Sequence, residues 1–342
     1  MKKIILGLFL FSSGSSFGQM SDSVQKYIDT AITIMQTRSL FSNTVNWART
    51  RDTAFFIAQD AKTYKQAFPA LAYVFKQLKD YHGMAANEDT SYRYPPPVNF
   101  DSVLSKGIKA EFLKGNKIIS RYYDKTGIGY LRIPSMNVFS QEDIDKKANA
   151  LRDSLCGLLA KNIKGLIIDL RMNAGGNSAP MISGISPVLK DSILGYGVDR
   201  DNNFLAPAII RNGVLLDENG VSLVNVKNQC PVNSPVKMAV LIGPSTISSG
   251  EILAVYLKQQ KNTKFFGEPS GRFCNATEGF LFMNNQGYLL LSVNKIADAK
   301  KRVYHKMYIS PDKFISSKQD NFTDLFSDPA FNSAYEWLNR NK

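Results

Sequence analysis

The run Thr246-Ile247-Ser248-Ser249-Gly250-Glu251 constrains this chain more than any other. The apolar stretch Met238-Ala239-Val240-Leu241-Ile242 precedes it, and a helically spaced apolar segment, residues 252–257, follows. That order reads as strand, tight turn and helix. A serine at such a corner is held out of the sheet at the N-terminus of a helix, where free backbone N–H groups and the helix dipole favour negative charge. Acyl transfer by serine needs both an exposed hydroxyl and a place for the oxyanion. Ser248 and Ser249 would also serve simply as helix N-caps, so the corner alone leaves both readings open.

A second corner bears on the choice. Gly165-Leu166-Ile167-Ile168-Asp169-Leu170 has the continuous apolar character of a buried strand. It runs into Arg171-Met172-Asn173-Ala174-Gly175-Gly176-Asn177. Paired glycines let backbone approach a ligand closely or take up positive φ. Set beside the serine turn, Gly175 and Gly176 could supply a second oxyanion N–H; a plain turn after a strand is the simpler use of two glycines. Neither a dinucleotide-binding glycine pattern nor a phosphate-loop lysine is present.

The first nineteen residues read as a signal peptide. Lys2 and Lys3 form a charged start, residues 4–11 a short apolar stretch, and small polar residues lead to Gln19. The absence of cysteine there argues against a lipid anchor, and no later stretch has the length of a transmembrane helix. The mature chain is therefore expected to be exported and soluble, in a periplasm or outside the cell. Its net charge of +13 becomes +11 once Lys2 and Lys3 are removed. These basic residues are scattered, without the clustering that a nucleic-acid partner requires. Cys156, Cys230 and Cys274 show no metal or redox spacing. An exported chain permits one disulfide and leaves one thiol over. No metal or cofactor is implied.

Residues 20–94 are expected to form a small helical domain. Its third stripe, through Tyr64, Phe68, Leu71, Val74 and Leu78, contains Pro69 near its start or at a break. The stiff Tyr94-Pro95-Pro96-Pro97 segment marks the boundary to an α/β core over residues 95–342. There, strands near 117–123 and 128–133, a helix opened by Ser140, the strand at Leu166 and the serine strand alternate with helices, as in a mostly parallel sheet. Residues 204–226 read as short strands of unassigned role.

The chain has two histidines, so the search for a base is short. His82 ends the third helix in Leu78-Lys79-Asp80-Tyr81-His82-Gly83, where it can project into a cleft. His305 sits near a strand end before Pro311. Cys274 paired with His82 is a further possible nucleophile.

Together, residues 165–176, 246–251 and Gly267-Glu268-Pro269-Ser270-Gly271 resemble the tail-specific, or C-terminal-processing, serine peptidases, a family that includes the tricorn core. Residues 78–82 are similar to that family's histidine segment and Ile309-Ser310-Pro311-Asp312 to its closing motif. The resemblance implies a ClpP/crotonase-like α/β core behind an N-terminal helical domain. It implies Ser248 as nucleophile, His82 as general base, and an oxyanion hole from the N–H groups of Ser249 and of Gly175 or Gly176. Arg272 or Phe273 stands where one branch of the family carries a catalytic lysine. Because arginine stays protonated, the serine–histidine branch is the better fit. The glutamate that assists some members is replaced by His305. Glu278 is then the preferred acid behind His82, with Asp298 as the alternative. The expected function is an exported serine endopeptidase acting on peptides or unfolded tails; the alternative is an impaired member that binds peptides or apolar ligands.

Overall fold

Short runs, the central ones apolar, lie side by side as the six strands of the sheet that carries the serine corner. The computed structural model describes residues 20–115, 117–227, 230 and 236–340; the expected signal peptide lies outside the described residues. In chain order the helices α1 (Asp22–Arg38), α2 (Trp47–Ile57) and α3 (Tyr64–Leu78) come first. Two short strands follow, β1 (Met84–Ala86) and β2 (Ser91–Tyr92), then α4 (Phe100–Val103) and α5 (Lys106–Leu113). Next come β3 (Ile119–Tyr123), β4 (Ile128–Arg132), α6 (Gln141–Leu159), β5 (Gly165–Asp169) and α7 (Ser178–Ile185). The strands β6 (Ser192–Val198), β7 (Phe204–Arg211), β8 (Val214–Leu216) and β9 (Lys237–Ile242) lead to α8 (Ser249–Lys258). The chain continues through β10 (Thr263–Gly267), β11 (Asn275–Phe282), β12 (Gly287–Asp298) and β13 (Lys313–Phe314) to α9 (Pro329–Asn339).

One six-stranded sheet has the order β13-β10-β9-β5-β4-β3. Every pairing in it is parallel except the β3–β4 hairpin. Its central strands are buried on both faces, which is why β5 and β9 read as unbroken apolar runs. Helices α6, α7 and α8 contribute Leu151, Ile182 and Leu253 to the core on one face, and α9 packs Phe331 and Ala334 on the other. This is the expected α/β core.

A second sheet, with the order β2-β1-β12-β6-β7-β8 and β11 on β12, is antiparallel throughout. Residues 204–226 supply its outer hairpin, β7–β8. The helical segment α1–α3 buries Tyr27, Leu71 and Phe75 against Phe282, Leu289 and Leu291 of β11 and β12. Helix α3 runs on through Pro69, in its second turn, where only the bond to the Lys65 carbonyl is forfeited. Ser140 caps α6 as its sequence indicates, accepting from the N–H of Asp143. Cys156 of α6 is disulfide-bonded to Cys230, and Cys274 is free and buried.

Candidate active site

Two parallel strands end side by side and turn toward each other. After β5, Asp169 takes three hydrogen bonds from Arg171, through its backbone N–H, Nε and Nη2. Arg171 Nη1 reaches Asp320 and Asp328, all fully enclosed. The aromatic face of Phe322 lies 4.6 Å from this guanidinium and 4.9 Å from that of Arg132. Three carboxylates around one guanidinium hold Arg171 firmly charged. Burial, aided by Asp328 and Asp169, pushes the Asp320 carboxyl up to about 7. The cluster pins the turn after β5. Thr246 Oγ1 donates to the Leu170 carbonyl at 2.9 Å, Ser245 Oγ to that of Arg171, and the Ile247 N–H to that of Asn173 at 3.1 Å.

Ser248 sits at that junction with φ 55° and ψ −123°, a conformation disfavoured for a residue with a Cβ. Its N–H donates to Glu251 Oε2 at 2.9 Å. The Glu251 carboxyl also accepts the N–H groups of Arg272 and Phe273 and the Ser270 hydroxyl. Burial pushes it up to about 8, against the pull of those four hydrogen bonds. One buried side chain thus anchors both the serine corner and the returning loop before β11.

Gly175 lies against Ser248 with φ 91°; a Cβ there would come within 2.7 Å of Ser248 Cβ. The Gly175 N–H is held by Asn173 Oδ1 at 3.0 Å. The amides of Gly176 and Ser249 have no hydrogen-bond acceptor among the described residues. Ser249 Oγ donates to the Gly176 carbonyl at 2.5 Å and locks the two turns together. The unengaged amides next to the serine corner are therefore those of Gly176 and Ser249, with Gly175 as the spacer that lets the loop come close.

His82 arrives from the other part of the chain. Helix α3 closes at Lys79 in the left-handed region, and β1 then pairs with β12, Met84 opposite Leu290. A Cβ on Gly83 would meet the Leu290 carbonyl at 2.3 Å, so only glycine fits between His82 and the strand. His82 Nε2 lies 3.1 Å from Ser248 Oγ. The Phe273 ring stands at right angles to the imidazole with centroids 5.1 Å apart, and Tyr81 donates to the Arg272 carbonyl at 2.8 Å. Burial lowers the His82 pKa, while the hydrogen bond with Asn275 and the charge of Asp80 oppose this.

The partner behind the imidazole is a correction to the sequence reading. Nδ1 faces Asn275 Oδ1, and Glu278 does not stand there. Glu278 is three places further along β11, where side chains alternate in direction, and it pairs with Arg38 of α1 at 2.7 Å, nearly half exposed. Asp298 is engaged by Arg302 near the far end of β12. His305 is exposed in a turn. Cys274 packs inside the core, where burial pushes its thiol well up, which disfavours the thiolate. An amide such as Asn275 carries no charge signal in a sequence; its place in the loop returning to the serine is the clue the sequence offers. A hydroxyl on an imidazole nitrogen, with the other ring nitrogen held and two N–H groups unengaged nearby, can transfer a proton while the oxygen attacks a carbonyl.

The described residues contain no group of three or more histidine, cysteine or carboxylate side chains able to hold a metal ion, and no helix long and apolar enough to cross a membrane. In comparison with known proteins, the chain is 27% identical to the nisin-resistance protein of Lactococcus lactis subsp. lactis, over 98% of this chain and 97% of that one. It is 22% identical to the chloroplastic carboxyl-terminal-processing peptidase 2 of Arabidopsis thaliana, over 59% of this chain and 35% of the relative. Two solved structures share the fold. A lipoprotein from Streptococcus agalactiae superposes with a TM-score of 0.70 at 20% identity, covering 94% of this chain and 97% of that one. The photosystem II D1 C-terminal processing protease does so with a TM-score of 0.60 at 13% identity, covering 94% and 98%. Residues 127–314, more than half of the chain, match peptidase family S41, and the chain belongs to that family.

Proposed function

We propose that the protein is a serine endopeptidase that cleaves peptides or unfolded protein tails through an acyl-enzyme on Ser248. The observation that carries this is the direct contact of Ser248 Oγ with His82 Nε2 at 3.1 Å. In this reading His82 takes the hydroxyl proton as Ser248 attacks the scissile carbonyl, and the N–H groups of Gly176 and Ser249 receive the oxyanion. The imidazolium then returns the proton to the leaving amine, and water, activated by the same base, releases the acyl group. Arg272 or Phe273, neither of them able to act as a base, stands where the other branch of the family carries its lysine, which supports histidine as the base.

The Cys156–Cys230 disulfide supports an exported location, since such bonds persist in oxidising compartments. The similarity to a nisin-resistance protein makes nisin a reasonable member of any peptide panel, beside unfolded tails. The test is labelling of the purified protein by a fluorophosphonate probe, with Ser248→Ala as control, alongside hydrolysis of that panel. Labelling and cleavage that both vanish in Ser248→Ala are expected. A wild type that neither labels nor cleaves, yet retains peptides on a column, would establish the binding reading instead.

A further inference from the structure

The group behind His82 is neutral, yet it begins a chain of hydrogen bonds that ends on a buried carboxylate. Asn275 Nδ2 donates to Ser292 Oγ at 2.9 Å. Ser292 Oγ donates to Asp80 Oδ1 at 2.8 Å, and the Ser292 N–H to Asp80 Oδ2 at 2.7 Å. Asp80 also accepts the N–H groups of His82 at 3.1 Å and Gly83 at 3.0 Å. Asp80 and Ser292 are fully buried and Asn275 nearly so.

The direction of every bond in this chain follows from one end. A carboxylate has no proton to give, so the Ser292 hydroxyl must donate to Asp80. Ser292 Oγ is then left as an acceptor, so Asn275 must turn its Nδ2 toward it. That turns Asn275 Oδ1, an acceptor only, toward His82. His82 Nδ1 must therefore carry the ring proton, and the lone pair is left on Nε2, facing Ser248. We propose that Asp80, Ser292 and Asn275 are positioning residues: acting in series, they set the Nδ1–H tautomer of His82 and so do the orienting work of the carboxylate in a serine–histidine–acid triad. Asp80 does this at two removes, touching neither the imidazole ring nor Ser248.

The polarity argument also says what happens when the end group changes. In Asp80→Asn an amide that puts its NH₂ in the Oδ1 place can donate to Ser292, at the cost of the His82 and Gly83 N–H groups that share that atom, and the Ser292 hydroxyl is then free to point at Asn275. The Asn275 amide can turn over and present Nδ2 to His82, which favours the Nε2–H tautomer that cannot accept from Ser248. In a serine–histidine–aspartate enzyme, imposing the wrong tautomer costs about 10⁴-fold in kcat. That figure is the ceiling here, because the relay can also populate the correct arrangement.

This proposal rests on the peptidase reading for its kinetic consequence but not for its structural one. The chain contains two histidines, so ¹⁵N-histidine labelling gives two ring spin systems, one of which disappears in His82→Gln. In wild type at a pH where His82 is neutral, the ring-nitrogen shifts should report the Nδ1–H tautomer. In Ser292→Ala the relay is cut while Asp80 keeps its three backbone donors. The His82 signature should then move toward the Nε2–H form, with kcat at least about ten-fold lower, KM within about two-fold, and both recovered in Ser292→Thr. Asp80→Asn should move the signature in the same direction by a smaller amount; if it fails to fold, Ser292→Ala decides. A wild type in the Nε2–H form, or an Nδ1–H signature and kcat both unchanged in Ser292→Ala, would overturn the relay. An intact Nδ1–H signature in a protein that never labels with fluorophosphonate would overturn the peptidase reading and leave the relay standing.

Discussion

The backbone N–H of Ser248 donates to Oε2 of Glu251, three residues ahead in α8, at 2.9 Å. The same carboxyl receives Arg272 and Phe273, so the torsion of the proposed nucleophile and the position of the ring that packs on His82 depend on one side chain. Replacing Glu251 by glutamine puts an NH₂ group among four donors and leaves at least one unsatisfied. The expected result is a loss of about 1–3 kcal/mol in stability and a fluorophosphonate labelling rate at least about ten-fold slower. Thermal unfolding and labelling kinetics read the two effects separately, and an unchanged labelling rate would remove Glu251 from the account of the corner.

Gly175→Ala tests the spacing of the two turns. The added Cβ would lie 2.7 Å from Ser248 Cβ on a backbone with φ 91°. Relief of that contact must move the Gly176 amide away from Ser248. A fall in kcat of about 10²–10³, the usual effect of losing one oxyanion donor, is expected with little change in KM. Full activity in this variant would show that the loop does not serve the oxyanion.

The acid side of the pH profile belongs to His82. A general base must be neutral, and burial holds this imidazole below its ordinary 6.5. Activity should therefore rise with pH through a value below 6.5 and be level at neutrality. The hydrogen bond to Asn275 raises the His82 pKa, so Asn275→Ala should shift the acid limb to still lower pH while lowering the plateau. A kcat/KM profile from about pH 4 to 9 checks both signs, and a shift toward higher pH would contradict the second.

Asp320 governs stability rather than chemistry. Its folded carboxyl is raised from 3.8 to about 7, so the folded state holds a proton that the unfolded chain releases. The associated stabilisation is complete below about 3.8 and is lost as pH rises through about 7. Its upper bound is about 4 kcal/mol. Wild-type Tm should decline between about pH 5 and 8, and Asp320→Asn should flatten that decline. Equal slopes in the two proteins would place the proton elsewhere.

Much of this molecule is legible in its residues because the relevant signals are local. Buried parallel strands announce themselves as apolar runs, the Ser140 cap as a side chain before an amphipathic stripe, and the serine corner as a change of period from strand to helix. The group behind His82 was not legible in that way. Asn275 and Ser292 meet through the register of β11 on β12, interrupted by a bulge between Ala276 and Thr277. Neither residue differs in type from many surface residues. Charge in the sequence points to Glu278, three positions away on the same strand, whereas the buried carboxylate that closes the network is Asp80, two residues before the histidine itself. The strand β6 carries Gly195 and Gly197 within an otherwise weak pattern and left no clear period to read.

The two halves of the proposed site come from distant parts of the chain, which bears on how the protein could be disabled. Ser248, Asn275 and Ser292 fall within the segment that matches the family, but Asp80 and His82 precede it and are held to it by Met84–Ala86, by the packing of α1–α3 on β11 and β12, and by their own bonds to Ser292 and Asn275. The proposed site is thus split between two stretches of chain that meet at β11 and β12. Deletion of the residues ahead of Met84 would remove Asp80 and the proposed base His82 and leave the proposed nucleophile Ser248 on the α/β core. The serine would then be silenced by a loss set some way along the chain from it.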